Sequence, residues 1–191
     1  PIAPELREGR GEIEAAAAGT LPLLLEPADL RGFLHCHTTY SDGSNSVMEV
    51  AQACQDAGYA WVGITDHSKA AAYAGGLSPE DLLRQADEID AANQALDGIR
   101  ILKGIEADIL AAGELDYDDT VLARLDFVIG SIHSRFSMAR AEMTARVLAA
   151  MDNPHLAILG HPTGRLLLAR EPYALDMDAA LDKAARTGVA I

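Results

Sequence analysis

From residue 30 to the end of the chain, short apolar runs alternate with amphipathic stretches. The runs predict strands over 32–38, 61–66, 99–109, 127–132 and 156–160, with a last strand beginning at Val189. Between them, apolar residues recur at helical spacing over 46–57, 78–95, 118–124, 138–151 and 177–186. Ser46 and Ser78 stand where N-caps are needed. Pro79 then occupies a first helical position, where its missing N–H costs nothing. Strand and helix alternate without hairpin signals, so the strands are expected to be parallel and joined by right-handed crossovers. That pattern fits an open doubly wound sheet or a closed barrel, and periodicity does not choose between them. Residues 1–30 read differently, with an Ala-rich helix over 12–18, then Leu21-Pro22-Leu23-Leu24-Leu25 and an acidic turn. They are expected to be a lead-in segment from a preceding domain, packed on the outside of one domain formed by 31–191.

The length of 191 residues suits one sizeable domain. No apolar run approaches the roughly 20 residues that cross a bilayer, and no signal peptide is visible, so no membrane role is expected. Pro1 is not an initiator methionine, which suggests a piece of something longer. Two cysteines, Cys36 and Cys54, are too few for a disulfide framework and point to the cytoplasm. A formal charge of −14 argues against gripping nucleic acid with a basic surface.

The candidate chemistry lies in the histidines. Of six, five fall at or just past the C-terminal end of an expected strand: His35, His37, His67, His133 and His161. In parallel α/β architectures these ends converge on one mouth. Residues two apart on a strand share a face, so His35 and His37 can hold one ion together while Cys36 turns away. Glu106 is an isolated charge in an expected buried strand and needs a partner to offset its desolvation. A metal cluster is that partner, and a carboxylate can bridge two ions. Asp108, on the same face as Glu106, either supports a ligand or meets solvent. Asp42 is a candidate ligand, Asp66 a supporting residue, and His155 a surface residue at the opposite rim.

With His35-Cys36-His37, Thr65-Asp66-His67, Gly104-Ile105-Glu106, Ser131-Ile132-His133 and Gly160-His161-Pro162, residues 31–191 resemble the PHP family, named for polymerase and histidinol phosphatase. Pro4-Glu5-Leu6-Arg7-Glu8, Gly11-Glu12-Ile13-Glu14, Asp29-Leu30-Arg31-Gly32, His133-Ser134-Arg135-Phe136 and His161-Pro162-Thr163-Gly164-Arg165 narrow the resemblance. They are similar to the PHP domain that follows the polymerase domain in bacterial and archaeal X-family DNA polymerases. The resemblance implies a distorted (βα)7 TIM-like barrel with two to three divalent ions, Mn²⁺ or Zn²⁺. It assigns His35, His37 and Glu106 to the first ion, Glu106, His133 and His161 to the second, and Asp42 with His67 to the third. It also places an Asp-x-His ligand pair beyond Ile191, so the barrel is expected to be truncated here, with the first and third ions each short of a ligand. The implied activity is metal-dependent 3′–5′ exonuclease or 3′-end processing of DNA.

The expected reaction is hydrolysis of a phosphodiester by metal-activated water. Arg165, Arg135 and Lys69 each follow an expected ligand by a few residues and are candidate phosphate clamps, Arg being the better suited because its fork is bidentate. The ions would supply positive charge in the place where a phosphate must sit, and a preceding polymerase domain would add more contacts to DNA. The rivals are a small-molecule phosphatase of the histidinol phosphatase type, which suits the acidic surface, an amidohydrolase, and a catalytically silent module stabilised by metal.

Overall fold

The computed structural model describes residues 1–191, which divide into two compact units, Pro1–Leu30 and Arg31–Ile191. The first unit contains one α-helix, α1 (Glu12–Ala18), and 3-10 turns at Pro4–Leu6 and Pro27–Asp29. None of its residues is buried, and Leu23 and Leu25 are exposed.

The second unit is α/β. Its strands β1 (Gly32–Cys36), β2 (Trp61–Ile64), β3 (Arg100–Asp108), β4 (Phe127–Ser131) and β5 (Leu156–Leu159) form one parallel sheet in the order β1-β2-β3-β4-β5. The crossovers carry α2 (Val47–Asp56), α3 (Pro79–Ala95), α4 (Asp119–Leu122) and α5 (Arg140–Ala150), and α6 (Met177–Thr187) follows β5. No helix is long and apolar enough to cross a membrane. The serine caps form as expected: Ser46 accepts from the Glu49 N–H and Ser78 from the Asp81 N–H. The last strand expected from Val189 appears as one parallel bridge, Ile158 to Ala190.

Helices cover the sheet from outside. Ile105, Ala107 and Ile109 of the β3 region pack in one cluster with Met143, Val147 and Ala150 of α5 and with Ala180 and Ala184 of α6. Val62, Ile64 and Ile101 pack in a second with Val47, Ala51 and Cys54 of α2 and Ile89 and Ala92 of α3. Each fully buried isoleucine contributes on the order of 1.5–3 kcal/mol. Side chains alternate along β3, so Gly104, Glu106 and Asp108 face the other way. There the ring of Phe127 lies so close that a Cβ on Gly63 or Gly104 would come within 2.6 Å of it, which is why both positions are glycine.

The sheet is curled. In a flat sheet, four strand spacings of about 4.8 Å would separate β1 from β5 by roughly 19 Å. Yet His35, on β1, and His161, just past β5, have ring centroids 5.7 Å apart. The strands therefore bend toward a barrel while β1 and β5 stay unpaired with each other, and five strands, not seven repeats, are present in these residues.

Candidate metal centre

The strand ends differ from the sequence-based expectation in one consistent way. Each strand stops one or two residues early, so that His37, Thr38, Asp66, Ile132 and Gly160 lie outside the ladder. The chain leaves strand geometry where it must aim side chains inward. At β1 the pairing register shifts between Phe33 and Cys36, and His35 adopts a left-handed φ of 65°. His35 and His37 thus converge through an irregularity, not by plain alternation, and their rings stack at 5.5 Å. Cys36 packs against the cluster of α2 and α3, and burial pushes its thiol pKa up.

Glu106 sits at the focus, 1% exposed. Its Oε1 lies 3.0 Å from His35 Nε2, 3.2 Å from His133 Nε2 and 2.8 Å from His161 Nε2. Its Oε2 lies 3.4 Å from His37 Nε2 and 3.0 Å from His67 Nδ1. Asp42 adds a second carboxylate on the Oε2 side, 3.2 Å from His37 Nδ1 and 3.6 Å from His67 Nε2. The donor triads that close on common points are His35, His37 and Glu106; His37, Asp42 and His67; and His67, Glu106 and His133. The first two match the partition implied by the family resemblance, with His37 added to Asp42 and His67. In the third, His67 stands where the resemblance implies His161.

Electrostatics make this cluster fit a cation. Burial pushes the Glu106 carboxyl up, but the imidazoles of His133, His161, His35 and His67 outweigh it and hold the group well below the usual carboxylate range. An imidazole lone pair facing a carboxylate lone pair is repulsive unless a proton or a metal lies between them. Buried His37 Nδ1 and His67 Nδ1 have no hydrogen-bond partner, although carboxylate oxygens lie 3.2 and 3.0 Å away. A divalent ion would take the lone pair of such an unpartnered nitrogen, and so needs a neutral imidazole. For His37, burial and then His67 lower the pKa and favour the neutral form. For His133, burial opposes protonation, but Asp108 and Glu106 override it and raise the pKa to about 9.

Support from behind is specific. Asp108 Oδ2 lies 3.2 Å from His133 Nδ1, which fixes that ring and frees Nε2 toward Glu106. Asp66 is fully buried and accepts from Thr38 N–H at 2.8 Å, Thr38 Oγ1 at 2.7 Å, Ser41 N–H at 3.1 Å, the Ser41 hydroxyl and Gln85 Nε2 at 2.6 Å. It thereby ties down the turn that carries Asp42. Arg146 of α5, buried at 2% exposure, donates to the carbonyls of Leu110 at 2.8 Å and Ser134 at 3.0 Å, joining the ends of β3 and β4.

A family model described as PHP domain matches residues 34–188. The chain belongs to the PHP domain family. Over 190 residues, 100% of this PHP domain chain, it is 45% identical to the DNA polymerase/3′-5′ exonuclease PolX of Bacillus subtilis (strain 168), of which it spans 33%. Over 132 residues, 67% of the chain, it is 36% identical to a probable phosphatase of Acetivibrio thermocellus, of which it spans 52%. The chain thus spans between a third and about half of these relatives. A solved structure of histidinol phosphate phosphatase from Lactococcus lactis, complexed with zinc, L-histidinol and phosphate, superposes with a TM-score of 0.49 at 15% identity, covering 83% of this chain and 71% of that one.

The structure of this PHP domain brings His35, His37, Asp42, His67, Glu106, His133 and His161 together. Arg165 and Arg135 are exposed, Arg135 at a φ of 57°, and neither guanidinium is engaged by another side chain. The ammonium of Lys69 lies 5.5 Å from the Tyr117 ring centroid, a cation–π placement. His155 precedes β5, at the opposite end of the sheet from the cluster. Sequence reasoning passed over Arg146 and Tyr73. Tyr73 lies at the mouth, its ring 6.1 Å from His67 and 6.5 Å from His133. One aromatic among Ala70, Ala71, Ala72 and Ala74 was the available signal.

Proposed function

We propose that this PHP domain is a metal-dependent phosphoesterase acting on DNA, trimming or processing 3′ ends in the manner of an exonuclease attached to an X-family polymerase. The observation that carries the reading is the single buried carboxylate of Glu106 with imidazoles on both of its oxygens, in a chain 45% identical throughout to part of a PolX. Glu106, His35, His37, His67, His133 and His161, with Asp42, would hold two or three divalent ions, Mn²⁺ or Zn²⁺. Such ions supply Lewis acidity and an activated water near neutral pH.

The chain's own residues do the rest. The carboxylate of Glu106 stays ionised at any working pH, so it remains a ligand and not an acid. Asp108 keeps the His133 proton on Nδ1 and Nε2 toward the centre. Arg165 and Arg135 stand free to clamp phosphate oxygens, at roughly 1.5–3 kcal/mol for a charge-assisted contact. DNA is the proposed partner, held with the help of a polymerase domain.

A small-molecule phosphatase is the second reading, favoured by the −14 charge and by the probable phosphatases among the relatives. Metal-loaded protein should shorten a 5′-labelled oligonucleotide stepwise from its 3′ end and lose that activity to chelator. Hydrolysis of p-nitrophenyl phosphate or histidinol phosphate with the oligonucleotide left intact would give the second reading the field.

A further inference from the structure

We propose that Tyr73 is a substrate-binding residue that stacks on the nucleobase beside the phosphate being cut, and so selects nucleotides over small phosphoesters. The inference rests on the DNA reading above and names the group that reads the base.

The chain has five tyrosines, three phenylalanines and one tryptophan. Of these aromatic side chains only Tyr73, at 74%, and Phe33, at 39%, are exposed, and Phe33 is covered edge-on by Tyr59 at 5.5 Å. Tyr73 is therefore the one ring offered face-open to solvent, and it stands at the metal mouth. Its centroid lies 6.1 Å from His67 and 6.5 Å from His133, the rings inclined at 55° and 76°. A nucleotide whose phosphate sits over Glu106 has its sugar and base within reach of that face. The phenol hydroxyl makes no hydrogen bond to a protein group, and the ring's aromatic neighbours are the imidazoles of the mouth alone.

The ring is also fixed in position. Tyr73 lies in the 3-10 turn Ala72–Ala74, flanked by buried Ala71 and Ala74. The turn is rooted on the strand end that carries His67. Ala71 N–H donates to Ser68 O at 3.0 Å, Gly76 N–H to Ala71 O at 3.1 Å, and Leu77 N–H to His67 O at 2.8 Å. Gly76 lies so close to the Ser68 carbonyl that a Cβ there would come within 1.9 Å of it. A platform held this way loses little entropy when a base stacks on it, and base–aromatic stacking tolerates any sequence because every base has a π-face. That matches an acidic surface with little capacity for gripping the backbone.

The test uses two oligonucleotides, one ending in a normal 3′ nucleotide and one whose 3′ nucleotide lacks its base, each with a phosphorothioate version for equilibrium binding. Tyr73→Ala should weaken binding and raise KM for the base-bearing end by about 5- to 150-fold. It should leave the abasic end, kcat and metal content unchanged. Tyr73→Phe should behave nearly as the parent protein. Equal loss on both ends, loss in Tyr73→Phe equal to that in Tyr73→Ala, or no loss at all overturns the stacking role. A parent protein that neither binds nor cuts either oligonucleotide, yet hydrolyses histidinol phosphate, overturns the DNA reading and this inference with it.

Discussion

The middle and the edges of the metal mouth are built differently. At the ends of β2, β3 and β4, Glu106, His67 and His133 have side chains 1%, 9% and 12% exposed, and Asp108, Asp66 and Arg146 brace them from behind. At β1 and β5 the corresponding groups are looser. His35 and His161 have side chains 30% and 42% exposed and take positive φ values of 65° and 26°, and Asp42 is 51% exposed. The middle is held by packing and hydrogen bonds that exist without metal. The edges are brought in by the curl of the sheet and, at β1, by the bonds of Thr38 and Ser41 to Asp66. A preorganised middle should therefore set affinity, and the edges should complete coordination once an ion is present.

The comparison can be broken at its centre. Glu106→Gln removes the negative charge that both imidazole sets share. Metal affinity should fall by well over the ~10- to 100-fold typical of losing a supporting partner, and phosphoester cleavage should vanish while the circular dichroism spectrum persists. Retained stoichiometric metal would show that Glu106 is not the shared ligand.

Asp66→Ala asks whether bracing matters. It strands the Thr38 and Ser41 N–H groups, the Thr38 hydroxyl and the Gln85 amide, so a loss of about 3–5 kcal/mol in urea unfolding is expected. An unchanged midpoint would mean water replaces the carboxylate freely.

Titration sharpens the picture of the middle. The metal-free pKa of His133, about 9, exceeds the unfolded value near 6.5. Its contribution to metal-free stability is therefore full below about 6.5 and is lost as pH rises through about 9. Metal needs the neutral ring, so metal affinity should rise across the same window and binding should release a proton. Calorimetry in buffers of different ionisation enthalpy would count that proton, and a flat metal affinity from pH 6.5 to 9 would refute the sign.

The smallest effect is expected at the edge. His161→Ala should cost about tenfold in metal affinity, less than His133→Ala, because an exposed side chain is more readily replaced by water. Equal losses would erase the distinction between middle and edge.

The site was more legible in the sequence than the fold that holds it. Histidines at strand ends and a lone glutamate in a buried strand carry their chemistry in their identity, and topology alone brings strand ends together. The helix starts at Ser46 and Ser78 were equally plain, since a serine cap acts within three residues. The irregularity at His35 was not legible, because a register shift arises from pairing with β2 and leaves no mark in the local pattern. Nor was the placement of Lys69, which depends on where Tyr117 ends up, 48 positions later in the chain (117 − 69). The buried role of Arg146 was hidden for a similar reason. It caps carbonyls of two other strand ends, and an arginine in an amphipathic helix reads as a surface residue until those carbonyls arrive.

The central claim is that Glu106 stands between two ions, each oxygen with its own imidazoles. An anomalous difference map from crystals grown with Mn²⁺ tests it directly. The account predicts separate peaks on the two sides of Glu106, one shared with His35 and His37 and another shared with His133. A single peak chelated by His35 and His37 with Glu106 turned away, or no peak at any of these imidazoles, would contradict it.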